Sequence, residues 1–314
     1  MGNKDVLVTD YVHPALLDGL HALGYSTTYA PEISRLEMEG LLPHYKGVII
    51  NTRCSINRKA LESTNSLLWI ARLGSGLDII DLDAASEKGI DVVSAPEGNS
   101  EAVAEHAMGM LLCLSNKLIS ADQSIRKGDW MRERHRGWEI AGKTIGIIGY
   151  GNNGSAFGRL WEGWDVTVLA YDKYKVKYGN EKVNEVELEK LQQEADIISF
   201  HVPLTSETKE MLNDNFISKC KAGVVFINAS RGKVVDLEAL LNGLKTKFVK
   251  GACLDVLPYE PPLSGPNDYK ILFNELCSLD NVVLSPHVAG WTIESKKKIA
   301  EILLKKISVL KKLA

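Results

Sequence analysis

The chain is 314 residues long, 45% hydrophobic and 25% charged, ordinary globular proportions and length enough for two domains of usual size. Its 37 Lys and Arg against 40 Asp and Glu give a formal charge of -3, which leaves no global positive field for nucleic acid or an anionic membrane. Five cysteines (Cys54, Cys113, Cys220, Cys253, Cys277) are odd in number, widely spaced and mostly set in apolar runs, so they read as buried thiols of a reducing compartment rather than a disulfide framework or a zinc site.

From the N-terminus, Met1 to Asp5 lead directly into an apolar VLVT run without an apolar leader, and no uninterrupted run of 18 apolar residues follows. The expectation is a soluble, cytoplasmic protein. Short apolar, β-branched runs recur at 6–9, 47–50, 67–71 and 91–93, and again at 144–148, 166–171, 197–200, 224–227, 251–254 and 282–284. Most are separated by segments of helical period, the mark of βαβ units around parallel sheets, so the fold class is α/β. Between the two groups, Ala95-Pro96-Glu97-Gly98-Asn99-Ser100 breaks regular structure and is read as a hinge, with Ser100 placed to cap the helix after it. That helix, expected over 101–119, carries Val103, Ala104, Ala107, Met108, Met110, Leu111, Leu112 and Leu114 around most of its circumference, as a helix buried on several sides does.

Next in the chain, the run 144–148 enters Gly149-Tyr150-Gly151-Asn152-Asn153-Gly154, a full GxGxxG with a helical stretch behind it and an acid, Asp172, at the end of the following strand. Strand, glycine turn, helix and acid in this order form the dinucleotide-binding context of a Rossmann fold. Gly149 permits the tight turn, Gly151 lets the backbone approach a pyrophosphate, and Gly154 lets helix pack on strand. N–H groups at the helix start, from Asn152 and Asn153, face the phosphates. Asp172 would hold the adenosine ribose hydroxyls and repel a 2′-phosphate, which makes NAD the expected cofactor, although Lys173 and Lys175 leave room for NADP.

Three polar residues then sit at or just beyond strand ends, where open α/β sheets assemble their sites: Arg231 after VVFIN, Glu260 in LDVLPYEP and His287 in LSPHVAG. They supply a fixed cation, an acid and a base. His106, in mid-helix, reads as a packed interdomain histidine, and His201 as a residue shaping the cofactor pocket. No His, Asp and Glu spacing suggests a metal site. The final segment, 294–313, has Ile299, Ile302, Leu303, Ile307, Leu310 and Leu313 at helical spacing and seven lysines elsewhere, an amphipathic helix with a solvated face.

Seven motifs now stand in order: RLGSGLDIIDL (72–82), NSEAVAEHAMGMLL (99–112), GKTIGIIGYGNNG (142–154), HVPLTSET (201–208), INASRGKVVD (227–236), LDVLPYEPP (254–262) and SPHVAGWT (285–292). Over nearly the whole chain the sequence resembles the D-isomer-specific 2-hydroxyacid dehydrogenases, and among them D-3-phosphoglycerate dehydrogenases and hydroxypyruvate reductases. The resemblance implies a Rossmann NAD-binding domain over 101–289 and a discontinuous flavodoxin-like substrate-binding domain from 1–100 plus 290–314. It also implies a homodimer joined through the NAD-binding domain. It implies that Arg231, Glu260 and His287 are catalytic, and that the backbone of Leu73, Gly74, Ser75 and Gly76 holds the substrate carboxylate. Asp255 is implied to hold the nicotinamide carboxamide, with His201, Val202, Pro203, Ala229, Ser230, Ala289 and Gly290 also lining the cofactor. Asn152 and Asn153 depart from the family, where a basic and an aliphatic residue are usual. Arg53 matches an arginine that follows the same strand in phosphoglycerate dehydrogenases and is the candidate for a distal phosphate, with Arg132, Arg134 and Arg136 in support. The chain ends after its final helix, from which the expectation is that the C-terminal regulatory domain of long phosphoglycerate dehydrogenases is absent.

Reducing a 2-keto acid takes a hydride at the carbonyl carbon, a proton on its oxygen and a clamp on the carboxylate. His287 as imidazolium is the proton donor, Glu260 on its other nitrogen favours the charged ring and fixes it, and the planar fork of Arg231 suits carboxylate and carbonyl. Two alternatives remain: a hydroxypyruvate or glyoxylate reductase, and an NAD(H)-sensing corepressor-like binding protein. A sensor would bind NADH yet reduce 2-keto acids negligibly. Formate dehydrogenases share the architecture but pair the histidine with Gln, against Glu260 here.

Overall fold

Two all-parallel sheets organise the computed structural model, which describes residues 5–310. The chain divides into two units, one running to Ser100 and resuming at Gly290, the other Glu101–Ala289. In the first unit β1 (Asp5–Val8), β2 (Ser26–Tyr29), β3 (Gly47–Ile50), β4 (Trp69–Arg72) and β5 (Asp91–Ser94) lie in the order β2-β1-β3-β4-β5, the flavodoxin-like order. The middle strand β3 is buried along its whole length, as a parallel strand covered on both faces must be. β2 reads STTY, is largely exposed, and has no apolar period, so nothing in its sequence announces a strand.

The second unit holds β6 (Lys143–Ile148), β7 (Val166–Tyr171), β8 (Val183–Glu185), β9 (Ile197–Phe200), β10 (Val224–Asn228), β11 (Val249–Leu254) and β12 (Val282–Leu284), in the order β12-β11-β10-β9-β6-β7-β8. From β6 the chain adds two strands on one side and then returns to β9 on the other. This is the Rossmann arrangement, and the reversal between β6 and β9 opens the crevice where such sheets bind ligands.

The helix expected over 101–119 is two helices, Ser100–Ser115 and Leu118–Arg126, separated by Lys117 in the left-handed conformation at φ 53°. The break has a local cause: the Ser115 hydroxyl and the Asn116 carboxamide both donate to the Leu112 carbonyl, at 3.3 and 3.1 Å, and so compete for the helix terminus. Ser100 does not cap its helix from outside. It is the first helical residue, and its hydroxyl donates back to the Glu97 carbonyl at 3.3 Å.

The last helix, Ile293–Ser308, begins in a capping box in which the Thr292 hydroxyl accepts from Ser295 N–H. Ile299, Leu303 and Ile307 are buried in one cluster with Leu16 and Leu20 of the helix Pro14–Ala22, each contributing about 1.5–3 kcal/mol by area. Its lysines are not all solvated, since Lys306 Nζ donates to the Ser94 carbonyl at 2.8 Å and pairs with Glu97 at 2.9 Å. Leu313, assigned to the same helix from its spacing, lies outside the described residues, as do Met1 to Lys4.

Candidate active site

The cradle comes first. β6 ends at Ile148, and the helix Asn152–Arg159 begins within the glycine run. Gly149 turns at φ 87°, and a Cβ there would lie 2.6 Å from the His201 carbonyl oxygen; at Gly154 it would lie 2.0 Å from that of Gly149. Both positions therefore exclude any side chain. Gly151 has no neighbour within 4 Å of where its Cβ would stand, an open side on which a phosphate can reach the backbone. The N–H groups of Asn152, Asn153 and Gly154 find no acceptor among the described residues, because the first turn bond is Ser155 N–H to Gly151 O at 3.0 Å. Asn152 is exposed at this opening, while the Asn153 side-chain oxygen is buried without a partner.

Asp172 closes the cradle from the end of β7. One carboxylate oxygen accepts from Tyr150 N–H at 2.8 Å, the other from the N–H groups of Tyr174 and Lys175, both at 3.0 Å. Lys173 is paired with Glu207 at 2.6 Å, and Lys175 Nζ donates to the Tyr150 carbonyl at 3.0 Å. Both lysines beside Asp172 are thus already paired. His201 bonds Ser199 through Nε2 at 2.8 Å, its Nδ1 has no partner, and burial lowers its pKa to about 4, so the ring is neutral near pH 7. Val202 abuts Gly149, and the Pro203 carbonyl accepts from the Thr208 hydroxyl at 2.6 Å. These residues and the open N–H groups fit an NAD pyrophosphate and ribose.

At the ends of β10, β11 and β12 a second constellation forms. Beyond β10, the carboxamide of buried Asn228 accepts from both N–H and hydroxyl of Ser230, at 3.0 and 2.7 Å, and donates to the Arg231 carbonyl at 2.9 Å. That brace turns the chain so that Arg231 faces the pocket, with its Nη1 also on the Ser230 carbonyl at 2.7 Å. Asn228 was not among the residues singled out from sequence, although its place at a strand end was a signal. Ala229 packs with Val103 and Ala289. Gly232 touches the loop after β11 so closely that a Cβ would fall 2.0 Å from the Leu257 carbonyl group, which draws that loop, and Glu260 on it, toward Arg231.

Glu260 Oε2 meets His287 Nδ1 at 2.7 Å, and its Oε1 accepts from Leu257 N–H at 3.1 Å. Burial pushes this carboxyl up, but the hydrogen bond and charge of His287, with the Leu257 N–H, more than offset it, so Glu260 is ionised at neutral pH. Since Nδ1 is taken, Nε2 is the ring nitrogen available to a substrate. Arg231, Lys233, Glu260 and His287 line one pocket with Leu204 and Leu257.

Asp255, at the end of β11, has a side chain with no exposure and is bonded throughout. Its Oδ1 accepts from the Ser285 hydroxyl at 2.6 Å and Val288 N–H at 3.0 Å, its Oδ2 from Ala289 N–H at 2.9 Å. Burial alone would raise its pKa, yet these donors together with His106 lower it to about 2. Its backbone carbonyl accepts from His287 N–H at 2.7 Å. His287 sits at φ 56°, a left-handed conformation that costs a side-chain-bearing residue about 1–2 kcal/mol and persists only where neighbours hold it. His106 places Nε2 2.8 Å from Ser285 Oγ and 3.5 Å from Asp255 Oδ1, all within one unit.

In the first unit, not every N–H of the 73–76 loop is open. Leu73 N–H donates to Ile50 O and Gly74 N–H to Arg72 O, both at 2.9 Å, so only Ser75 and Gly76 keep backbone donors without an intramolecular acceptor among the described residues. The guanidinium of Arg53 donates to the carbonyls of Thr9, Pro31 and Ile33, holding three loop segments together. Arg132, Arg134 and Arg136 are exposed in the second unit, and Arg136 pairs with Glu133 at 2.6 Å. Gly290, in the first unit, accepts from the Ser295 hydroxyl at 2.7 Å.

Residues 108–289 match the model of the D-isomer specific 2-hydroxyacid dehydrogenase, NAD binding domain, and the chain belongs to that family. It is 34% identical to a D-3-phosphoglycerate dehydrogenase of Archaeoglobus fulgidus, covering 96% of this chain and 56% of that one. It therefore spans little more than half the length of that relative. A hydroxypyruvate reductase of Thermotoga maritima is 35% identical, with 86% of each chain covered. Among solved structures, the D-lactate dehydrogenase of Aquifex aeolicus complexed with NAD and lactic acid superimposes with a TM-score of 0.83 at 29% identity, covering 96% of this chain and 94% of the other.

Proposed function

We propose that the protein is an NAD-dependent oxidoreductase interconverting a D-2-hydroxy acid and its 2-keto acid. The carrying observation is the 2.7 Å pair of His287 and Glu260 in one pocket with Arg231, in a unit of the NAD-binding family. Bound NAD(H), on the 149–154 backbone and Asp172, supplies or accepts the hydride. In reduction, His287 gives its Nε2 proton to the carbonyl oxygen as negative charge develops there, and in oxidation the neutral ring takes it back. Glu260 holds the ring in place through Nδ1, which leaves Nε2 facing the substrate. Arg231 presents a planar fork to carboxylate and carbonyl and gains strength as the oxyanion forms. Ser75 and Gly76 are the backbone donors proposed for the carboxylate.

For the substrate we propose 3-phosphohydroxypyruvate and D-3-phosphoglycerate, in keeping with the named relatives. Lys233, exposed in the pocket, is a cation suited to a distal phosphate. A second reading, hydroxypyruvate or glyoxylate reductase, is favoured by one observation: Arg53 spends three of its donors on backbone carbonyls. Steady-state NADH oxidation with phosphohydroxypyruvate, hydroxypyruvate, glyoxylate and pyruvate decides between them. The phosphorylated acid should give the highest kcat/KM; negligible rates on all four would turn the reading to an NAD(H) sensor.

A homodimer through the NAD-binding unit is proposed on the helix Leu118–Arg126, which buries none of its residues and leaves Leu118, Ile119 and Ile125 exposed, with Trp130 79% exposed just beyond. Sedimentation should give twice the chain mass, and a monomer would refute it.

A further inference from the structure

We propose that His106 is a positioning residue for His287, acting through Ser285 and Asp255; the inference rests on the reading of His287 as the proton carrier. A serine hydroxyl has one proton, and here the direction of the chain follows from where it goes. At 2.6 Å from the buried carboxylate of Asp255, Ser285 Oγ gives its proton to that charged acceptor rather than to the Met110 sulfur at 3.5 Å. Ser285 is then an acceptor toward His106, whose Nε2 at 2.8 Å must carry the hydrogen. His106 and Met110 are four residues apart on one helix and grip Ser285 together.

What the chain of bonds holds is the segment bearing the proton carrier. Asp255 receives Val288 and Ala289 on its side chain and His287 on its backbone carbonyl, so three consecutive N–H groups end on a single residue. These fix the left-handed backbone of His287 and so the direction in which its ring meets Glu260. If the carboxylate rotated, the two side-chain anchors on Val288 and Ala289 would loosen together, leaving His287 held by the backbone bond alone. Ser285 is its side-chain partner on Oδ1, and His106 keeps the Ser285 hydroxyl turned toward it. A donor nearly two turns into a helix of another part of the sheet unit thereby sets the ring geometry without touching substrate or cofactor.

The turnover test uses the full chain and four variants. His106→Phe and Ser285→Ala should each lower kcat for 2-keto acid reduction about tenfold, with KM and the Kd for NADH within about twofold of wild type. The double variant should also lose about tenfold, because both changes cut one chain of bonds. His106→Gln, which retains a terminal N–H donor, should stay within about threefold of wild type. A hundredfold loss in the double variant, a Phe variant with wild-type kcat, or a Gln variant as poor as Phe would overturn the proposal. A second readout does not need turnover: the His287 Nδ1 proton on Glu260, identified in 15N-histidine spectra by its absence from His287→Gln, should be lost to solvent exchange in His106→Phe and kept in His106→Gln. Its persistence in the Phe variant overturns the proposal. Absence of keto-acid reduction by wild type would fail the functional reading instead, and the resonance would still decide this one.

Discussion

Replacing Asp255 by Asn makes the buried carboxylate neutral while keeping its size, which mimics protonation. The fall of its pKa from 3.8 to about 2 means that the folded unit prefers the ionised form by about 2.5 kcal/mol, the net of a burial penalty and the donations from His106, Ser285, Ala289 and Val288. Its side chain has no exposure, so solvent screening removes little of this. The Asn variant should accordingly be about 2.5 kcal/mol less stable near pH 7, lowering Tm by about 5–10 °C for a unit of this size. The sign of the pH dependence follows from a depressed carboxyl: its contribution is complete above 3.8 and disappears as pH falls through about 2. Thermal unfolding of both proteins followed by circular dichroism from pH 7 to pH 2 should show the gap in Tm closing below pH 4. A gap that stays constant to pH 2, or none at pH 7, would show that the ionised Asp255 carboxylate does not stabilise the fold. The variant should also lose kcat, since its amide nitrogen would confront an N–H of the 288–289 segment.

Three further outcomes are expected. His287→Gln should lose turnover by about two to four orders of magnitude while NADH still binds, as measured by fluorescence titration. Glu260→Gln removes the negative partner of the ring, so reduction should die away at lower pH than in wild type, and a pH profile with both limbs unchanged would contradict the pairing. Asp172→Ala should narrow the preference for NADH over NADPH, read as the ratio of kcat/KM values, because the carboxylate both holds the ribose and repels a 2′-phosphate.

Both parallel sheets could be read from the alternation of β-branched runs and helical segments, because parallel strands buried on two faces are almost continuously apolar. Two of the four edge strands were not legible: STTY in β2 and VNE in β8 are short, mostly exposed and carry no such pattern. Nor was the break at Lys117, where the side chains of Ser115 and Asn116 end a helix that apolar spacing alone would continue. Strand ends and the glycine run mark the cradle and Arg231, Glu260 and His287 as candidates from residue type and place. His106 and Ser285 stand 179 residues apart, and no local pattern relates them. The same limit applies to hydrogen bonds already spent: the sequence shows an arginine at 53 and N–H groups at 73–76, but only coordinates show that Arg53 holds carbonyls and that Leu73 and Gly74 have acceptors.

Hydride transfer to a 2-keto acid, with His287 as proton carrier, can be followed directly by isotope. NADH stereospecifically deuterated at C4, incubated with hydroxypyruvate or phosphohydroxypyruvate and enzyme, should give the D-2-hydroxy acid with deuterium at C2 by mass spectrometry for one of the two C4 labels, and the His287→Gln variant should give almost none. Product lacking deuterium with either label, product of the L configuration, or equal labelled product from His287→Gln would mean that the protein does not transfer hydride to a 2-keto acid with His287 as proton carrier.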